Sequence, residues 1–389
     1  MRWRNLLLLA GVLVLAYFLL WPVPVAPVAW QAPANPGYGD GAAGSPLAQL
    51  ERIPLPAGEH GMEDLALGPD GAIYGGTESG AVLRLDPASG EIREWRRFPG
   101  RPLGLTFDRD GTLWLADAFR GLVRVAADGS AELVATAAEG TDFGFTNNVD
   151  VAPDGRVYFS DASSKFAARE WGGTYASSKL DILEHGGHGR LLRFDPKSGE
   201  TEVLLRGLQF ANGVAVAADG RFVLVAETGS YSIRRLWLEG PKAGTDEPFA
   251  GPFPGFPDNL TRGPAGRFWV ALVSPRNRLL DALSGSPGSR RAIWRLPAFL
   301  RPEATVYGHV IALDDAGRPL LDLQDPAGAL AVNTAVLETA TDLWVASLQE
   351  PAIGRLPKAG LGLPEPALPP SGEAQELFEP RAGDPGPKA

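Results

Sequence analysis

The stretch NNVDVAPDGRVYFSDA, residues 147–162, decides the fold. Apolar and polar residues alternate on either side of Asp154-Gly155, the pattern of two short strands joined by a tight turn. The phrase recurs along the chain. EDLALGPDGAIYGGTE begins at Glu63, LGLTFDRDGTLWLADA at Leu103, NGVAVAADGRFVLVAE at Asn212 and DNLTRGPAGRFWVALV at Asp258. A weaker sixth copy, TAVLETATDLWVASL, begins at Thr334, with its turn one residue shorter. The starts lie 40, 44, 65, 46 and 76 residues apart, and the two long intervals hold insertions near 165–190 and 275–310.

A third strand follows several copies, as in AVLRLDP at 81–87, GRLLRFDP at 189–196 and SIRRLWL at 232–238. A fourth is legible as EIREWRRF at 91–98 and TEVLLRGL at 201–208. Four short strands per unit of roughly 40–50 residues make a propeller blade. Six copies predict an all-β, six-bladed β-propeller of four-stranded antiparallel blades over residues 46–358. No blade buries both faces alone, so the six form one cooperative domain. The segment 47–55, LAQLERIPL, is placed to supply the outer strand of the last blade and close the ring, removing an exposed edge. The composition agrees. Among 389 residues, 48 are glycine and 35 proline, which favours many tight turns over a helical bundle, and 44% are apolar, enough for a large core.

The ends of the chain read differently. Arg2 and Arg4 precede an apolar run from Leu6 to Trp21 and a Pro-rich stretch. Residues 1–24 are expected to form an uncleaved signal anchor, a single membrane-spanning helix, with a cleavable signal peptide as the competing reading. The basic flank keeps the N-terminus cytoplasmic and the propeller on the other side, in the bacterial periplasm or its equivalent. Residues 25–45 read as a flexible Pro/Gly-rich stem and 359–389 as a disordered Pro-rich tail. The net charge of −10, without a Lys/Arg run, argues against nucleic acid. No glycine-rich loop follows a strand and opens a helix, so no nucleotide is expected. The chain has no cysteine, which removes disulfides, thiol nucleophiles and Cys-ligated zinc. No serine stands in a G-x-S-x-G setting, so a serine hydrolase triad is not indicated.

The innermost strand of each blade lines a propeller's channel, so equivalent repeat positions meet at the axis. The first position reads Glu63, Leu103, Asn147, Asn212, Asp258 and Thr334, and the second adds Asp64, Asn148 and Asn259. These carboxylates and amides offer only oxygen donors, the set that suits Ca²⁺, whereas a softer metal would want His or Cys. A single Asn or Asp at a strand entrance usually shapes a turn. Recurrence in four of the six copies favours ligation. Asn259-Leu260-Thr261 is a formal glycosylation sequon, but its place in this ring makes Asn259 a candidate ligand instead.

The phrases GRPLGLTFDRDGTLWLADAFRGLVRV, TNNVDVAPDGRVYFSDASSKF, GRLLRFDP, LQFANGVAVAADGRFVLVAET and PGFPDNL resemble the strictosidine-synthase-like family over roughly residues 46–358. Its animal members include a membrane-anchored plasma-membrane protein, and its superfamily includes paraoxonases and gluconolactonases, six-bladed propellers with a channel Ca²⁺. The resemblance implies one Ca²⁺ held by Glu63, Asn147, Asn212, Asp258 and Asn259. Asp64 matches a ligand of the second, structural ion of paraoxonases, but Asn148 stands where an Asp is expected, which weakens the case for that ion. Two departures separate the chemistries. Thr334 replaces the catalytic glutamate of true strictosidine synthases, which argues against condensation, and Leu103 replaces a paraoxonase histidine. His60, His185, His188 and His309 read as solvated loop residues. The resemblance then implies Ca²⁺-dependent hydrolysis of lactones or of aryl or carboxylic esters, with Asp258 or Glu63 as the base. The apolar residues Phe143, Phe145, Phe210 and Phe256 form either a substrate wall or packing between blades. The alternatives are a non-catalytic ligand- or partner-binding propeller with a structural Ca²⁺, and another channel reaction of the strictosidine-synthase-like kind.

Overall fold

The computed structural model describes residues 3–39 and 45–363; the predicted tail falls almost wholly outside them. Six four-stranded antiparallel sheets form the blades of a propeller. The blades begin at Ala66, Pro102, Thr146, Ala211, Gly255 and Asn333, each counted from its innermost strand. Glu51–Pro54 pairs with Ala352–Pro357 as the outer strand of blade six, so an N-terminal strand closes the ring as expected.

The turns follow from the Asp-Gly pairs. In blade three Ala152 and Arg156 pair across the turn. The Asp154 carboxylate accepts from Arg156 N–H at 3.0 Å, and Gly155 takes φ +86°, which a side chain would resist. The shorter sixth turn is closed instead by Thr339 and Asp342. Alternation along each strand sends successive residues to opposite faces. Trp344 therefore packs against blade one and Val345 against blade five. Six apolar clusters result, one at each junction between neighbouring blades.

The two insertions are helical. The first contributes α2 (Thr174–Glu184), and the second contributes α3 (Arg278–Ala282) and α4 (Pro287–Trp294). At the N-terminus, α1 (Trp3–Leu20) is fully outside the folded core. It is long and apolar enough to cross a membrane.

The segment that follows α1 is ordered on the insertions, not a free stem. Val25 is buried with Phe166, Leu180 and Leu183. Ala26 N–H donates to Glu184 Oε2 at 2.6 Å, Val28 N–H to the Glu184 carbonyl and Trp30 N–H to the Ser284 carbonyl. Arg276 donates to the Pro33 carbonyl at 2.6 Å. Proline removes the donors a sheet would need, but it leaves carbonyls, and the arginines of the second insertion supply the donors for them.

Candidate functional site

Five of the six inner strands share one irregularity. The pairing register slips between Pro102 and Leu105, Thr146 and Val149, Ala211 and Val214, Pro257 and Leu260, and Asn333 and Val336. Each slip brackets the two channel positions of its repeat. A bulge interrupts the ladder and re-aims side chains, so the repeat itself turns Asn147, Asn212 and Asp258 toward the axis. In blade one, Glu63 and Asp64 lie just before the strand, with Glu63 N–H on the Gly76 carbonyl. The second position alternates polar with small residues. A Cβ on Gly213 would sit 2.2 Å from Leu260 N, and one on Gly104 2.5 Å from Asn148 Cα. These glycines let neighbouring inner strands close around the channel.

Glu63, Asn147, Asn212 and Asp258 line the base of one pocket of about 170 Å³, and all four are at least 95% buried. Each carries a side-chain oxygen with no hydrogen-bond partner: Glu63 Oε2, Asn147 Oδ1, Asn212 Oδ1 and Asp258 Oδ1. A buried polar atom left unpaired is costly. Four at one place is the donor set of a hard cation.

Burial pushes the Glu63 carboxyl up to about 7, with the nearby Arg101 guanidinium opposing. Burial and then the charge of Glu63 push Asp258 well above the usual carboxylate range. The Arg101 guanidinium donates to the carbonyls of Gly61, Gly76 and Pro102, and the Arg101 backbone N–H donates to Asp117 Oδ1 at 3.0 Å. A bound cation would relieve this excess of negative charge. Among the described residues no group of three or more His, Cys, Asp or Glu side chains is placed to hold a metal ion, so the fit rests on the mixed carboxylate and amide set.

The remaining candidates lie beneath. Asn259 is buried outside the pocket: its Nδ2 donates to the Glu63 carbonyl and its Oδ1 accepts from Asn148 Nδ2, both at 3.1 Å. Asn148 Nδ2 also reaches Asp64 Oδ2 at 3.1 Å, and Asn148 Oδ1 accepts from Val214 N–H. Asp64 further accepts from the N–H groups of Leu65 and Leu105. Asp64, Asn148 and Asn259 thus satisfy one another and form the floor on which the four open oxygens stand. Burial pushes Asp64 up to about 8, against the backbone donor on Leu65.

Thr334 Oγ1 donates to the Glu63 carbonyl at 2.6 Å. Leu103 packs with Phe145 and Phe210. Phe145, Phe210 and Phe256 line the pocket, and the first two meet edge to face at 5.3 Å. Phe143 instead packs between blades two and three.

The histidines differ from the sequence expectation in part. His60 is exposed beside Glu78. His185 caps α2 in a left-handed conformation and stacks under Trp30 at 3.9 Å. His188 pairs with Glu184, and His309 is buried against Asp322. The segment after α1, hereafter the strap, covers two of them, Trp30 over His185 and Tyr38 beside His309, which local sequence does not reveal. Sequence reading also missed Arg101; its only sign is a cationic residue in the tight GRPLGL entrance to blade two.

The strictosidine synthase profile matches residues 147–241, and the N-terminal profile of strictosidine synthase-like proteins matches 42–85. Strictosidine synthase-like protein 10 of Arabidopsis thaliana is 36% identical over 331 residues, 76% of this chain and 85% of the relative. The human adipocyte plasma membrane-associated protein is 33% identical over 345 residues, 80% of this chain and 78% of the relative. Among solved structures, a gluconolactonase from Xanthomonas campestris superposes with a TM-score of 0.59 at 18% identity, covering 86% of this chain and 98% of that one. The calcium-binding protein regucalcin from Agrobacterium tumefaciens gives 0.53 at 16% identity, covering 78% and 92%. These two likenesses speak to the fold. On the sequence relationships, the chain belongs to the strictosidine synthase-like family.

Proposed function

We propose that this protein is a Ca²⁺-dependent hydrolase of lactones or of aryl or carboxylic esters, anchored in a membrane by α1 with its propeller on the non-cytoplasmic side. The observation that carries the reading is that four buried, unpartnered oxygens line one pocket together with the apolar side chains of Phe145, Phe210 and Phe256. Glu63, Asn147, Asn212 and Asp258 would hold the ion, and Asn259, through Glu63, would set its height. When bound, Ca²⁺ supplies Lewis acidity toward a substrate carbonyl oxygen. Phe145, Phe210 and Phe256 bind the acyl or aryl body and exclude water from around it. Asp258 Oδ1 or Glu63 Oε2 takes the proton from a water at the pocket base. The membrane association named for the adipocyte relative, and the lactone chemistry and calcium named for the structural neighbours, fit this reading.

The test is a chelator-stripped full chain assayed on phenyl acetate and a small lactone panel, with and without added Ca²⁺. Turnover that vanishes with the ion and returns with it supports the reading. Absence of turnover in both states, with Ca²⁺ still raising the melting temperature, would transfer the assignment to a binding propeller. The commitment of Leu103 and Thr334 to packing and backbone contacts favours that second reading.

A further inference from the structure

The end of α1 is fixed to the rim of the pocket. Arg295, the residue after α4, donates to the carbonyls of Phe18 and Trp21 at 2.8 and 2.7 Å, and Tyr17 Oη donates to the Arg295 carbonyl at 2.9 Å. The preceding residue, Trp294, lines the pocket and packs with Val23 and Leu280 around a common cluster. No slack chain separates helix from rim. An α-helix of 18 residues is about 27 Å long, close to the thickness of a hydrocarbon core. A spanning α1 therefore leaves the bilayer at the pocket mouth.

The rim has the surface such a position requires. Phe299 is 83% exposed, Val306 59%, Leu300 55% and Leu279 51%. Each lies within two positions of a residue that lines the pocket, and a soluble protein seldom leaves such a set uncovered. Charge changes sign in the same segment. Residues 276–301 hold six arginines and one acidic residue, Asp281, in a chain of net charge −10. Arg276, Arg290 and Arg295 are buried on backbone carbonyls, which leaves Arg278 and Arg291 exposed and Arg301 half-buried beside the apolar tips. Apolar tips flanked by such cations match the boundary between acyl chains and anionic headgroups.

We propose that the rim formed by α3, residues 298–301 and Val306 is seated in the membrane that α1 spans, and that the pocket draws a lipophilic, carbonyl-bearing substrate from that leaflet. This deepens the hydrolase reading and rests on it for the substrate, while the seating itself rests only on α1 spanning. The apolar body of the substrate passes from acyl chains to the phenylalanine walls without crossing water, and its carbonyl meets the four oxygens at the base.

The absence of cysteine gives a clean test. The full chain, reconstituted in phosphatidylcholine–phosphatidylglycerol vesicles, is spin-labelled singly at Leu9→Cys in α1, Phe299→Cys on the rim, or Asp110→Cys in an exposed hairpin turn. The expected result is higher accessibility to oxygen than to a water-soluble nickel chelate at 9 and 299, and the reverse at 110. A label at 299 that behaves like that at 110, with 9 in the bilayer, overturns the seating and leaves the anchor standing. Water exposure at both 9 and 299 overturns both, and the rim is then a surface for another partner. For the substrate, the double variant Phe299→Asp/Leu300→Asp should hydrolyse a long-chain ester embedded in the vesicles at least tenfold more slowly, with phenyl acetate turnover unchanged. Equal loss on both esters, or none, overturns delivery from the leaflet. A parent chain that hydrolyses neither ester overturns the substrate class together with the hydrolase reading, while the depth measurement still decides the seating.

Discussion

Thr334 Oγ1 stands 2.6 Å from the Glu63 carbonyl and ties the innermost strand of blade six to the channel end of blade one. Asn259 Nδ2 donates to the same carbonyl at 3.1 Å, so three blades meet on one backbone oxygen. Thr334 thus positions Glu63. Thr334→Val should cost about 1 kcal/mol of stability, the usual worth of one such bond, and should weaken Ca²⁺ binding as Glu63 shifts. Thr334→Ser keeps the hydroxyl and should restore both. Thermal melting and Ca²⁺ titration of the two variants check this, and equal Ca²⁺ affinity in Val and Ser would remove the positioning role.

Asp258→Asn keeps the shape of the cradle and removes one buried charge. In chelator the variant should melt at or above the parent, because an uncompensated buried carboxyl is relieved. Ligand linkage predicts that Ca²⁺ at a hundred times its Kd stabilises the parent by about 2.7 kcal/mol. In the variant that increment should fall by more than half. Melting in chelator and in excess Ca²⁺ reads both effects, and an undiminished increment would place the ion elsewhere.

Much of this arrangement was legible in the repeat phrase. Alternation around Asp-Gly turns gave the blades, the six-fold recurrence gave the ring, and LAQLERIPL gave its closing strand. The repeat also aligned Glu63, Asn147, Asn212 and Asp258. It also set Asn259 at the second position, with Asp64 and Asn148, but it could not say that the second position faces away from the pocket, and the resemblance placed Asn259 among the ligands. Only the bulge geometry turns one side chain up to the pocket and leaves the other in the floor. The strap was illegible for a different reason. A Pro-rich segment has no periodicity of its own, and its order comes from Arg276, Ser284 and Glu184, more than a hundred residues away in sequence.

The Glu184 carboxylate holds that strap. It accepts from Ala26 N–H, from Lys165 at 2.7 Å and from His188 at 2.8 Å. Burial raises its pKa, but the bonds from His188, Lys165 and Ala26 outweigh burial and bring it down to about 2. A carboxyl held below its unfolded value, near 4.3, stabilises the fold above that value and loses the contribution as pH falls toward 2. Glu184→Gln should therefore lower stability by about 1–3 kcal/mol at neutral pH, with the gap from the parent closing below pH 4. Melting curves from pH 7 to pH 3 check the sign; a gap that widens on acidification would contradict it.

At Gly213 the inner strands of blades four and five run close together. A methyl group there would meet Leu260 N at 2.2 Å and Asn259 Cα at 2.6 Å, both backbone atoms that cannot swing away. Gly213→Ala should cost about 1–3 kcal/mol and loosen the channel floor. Gly288→Ala, where a Cβ meets nothing within 4 Å, serves as the control by urea unfolding. Equal midpoints for the two variants would show that the inner strands have room to spare.

The most direct test of the central claim is calorimetric titration of the chelator-stripped full chain with Ca²⁺, paired with ester turnover at each step. One ion per chain is expected, with turnover rising in proportion to occupancy and both lost in the double variant Asn147→Ala/Asn212→Ala. Turnover that persists in the stripped chain, or an ion that still binds the double variant with parental affinity, would contradict it.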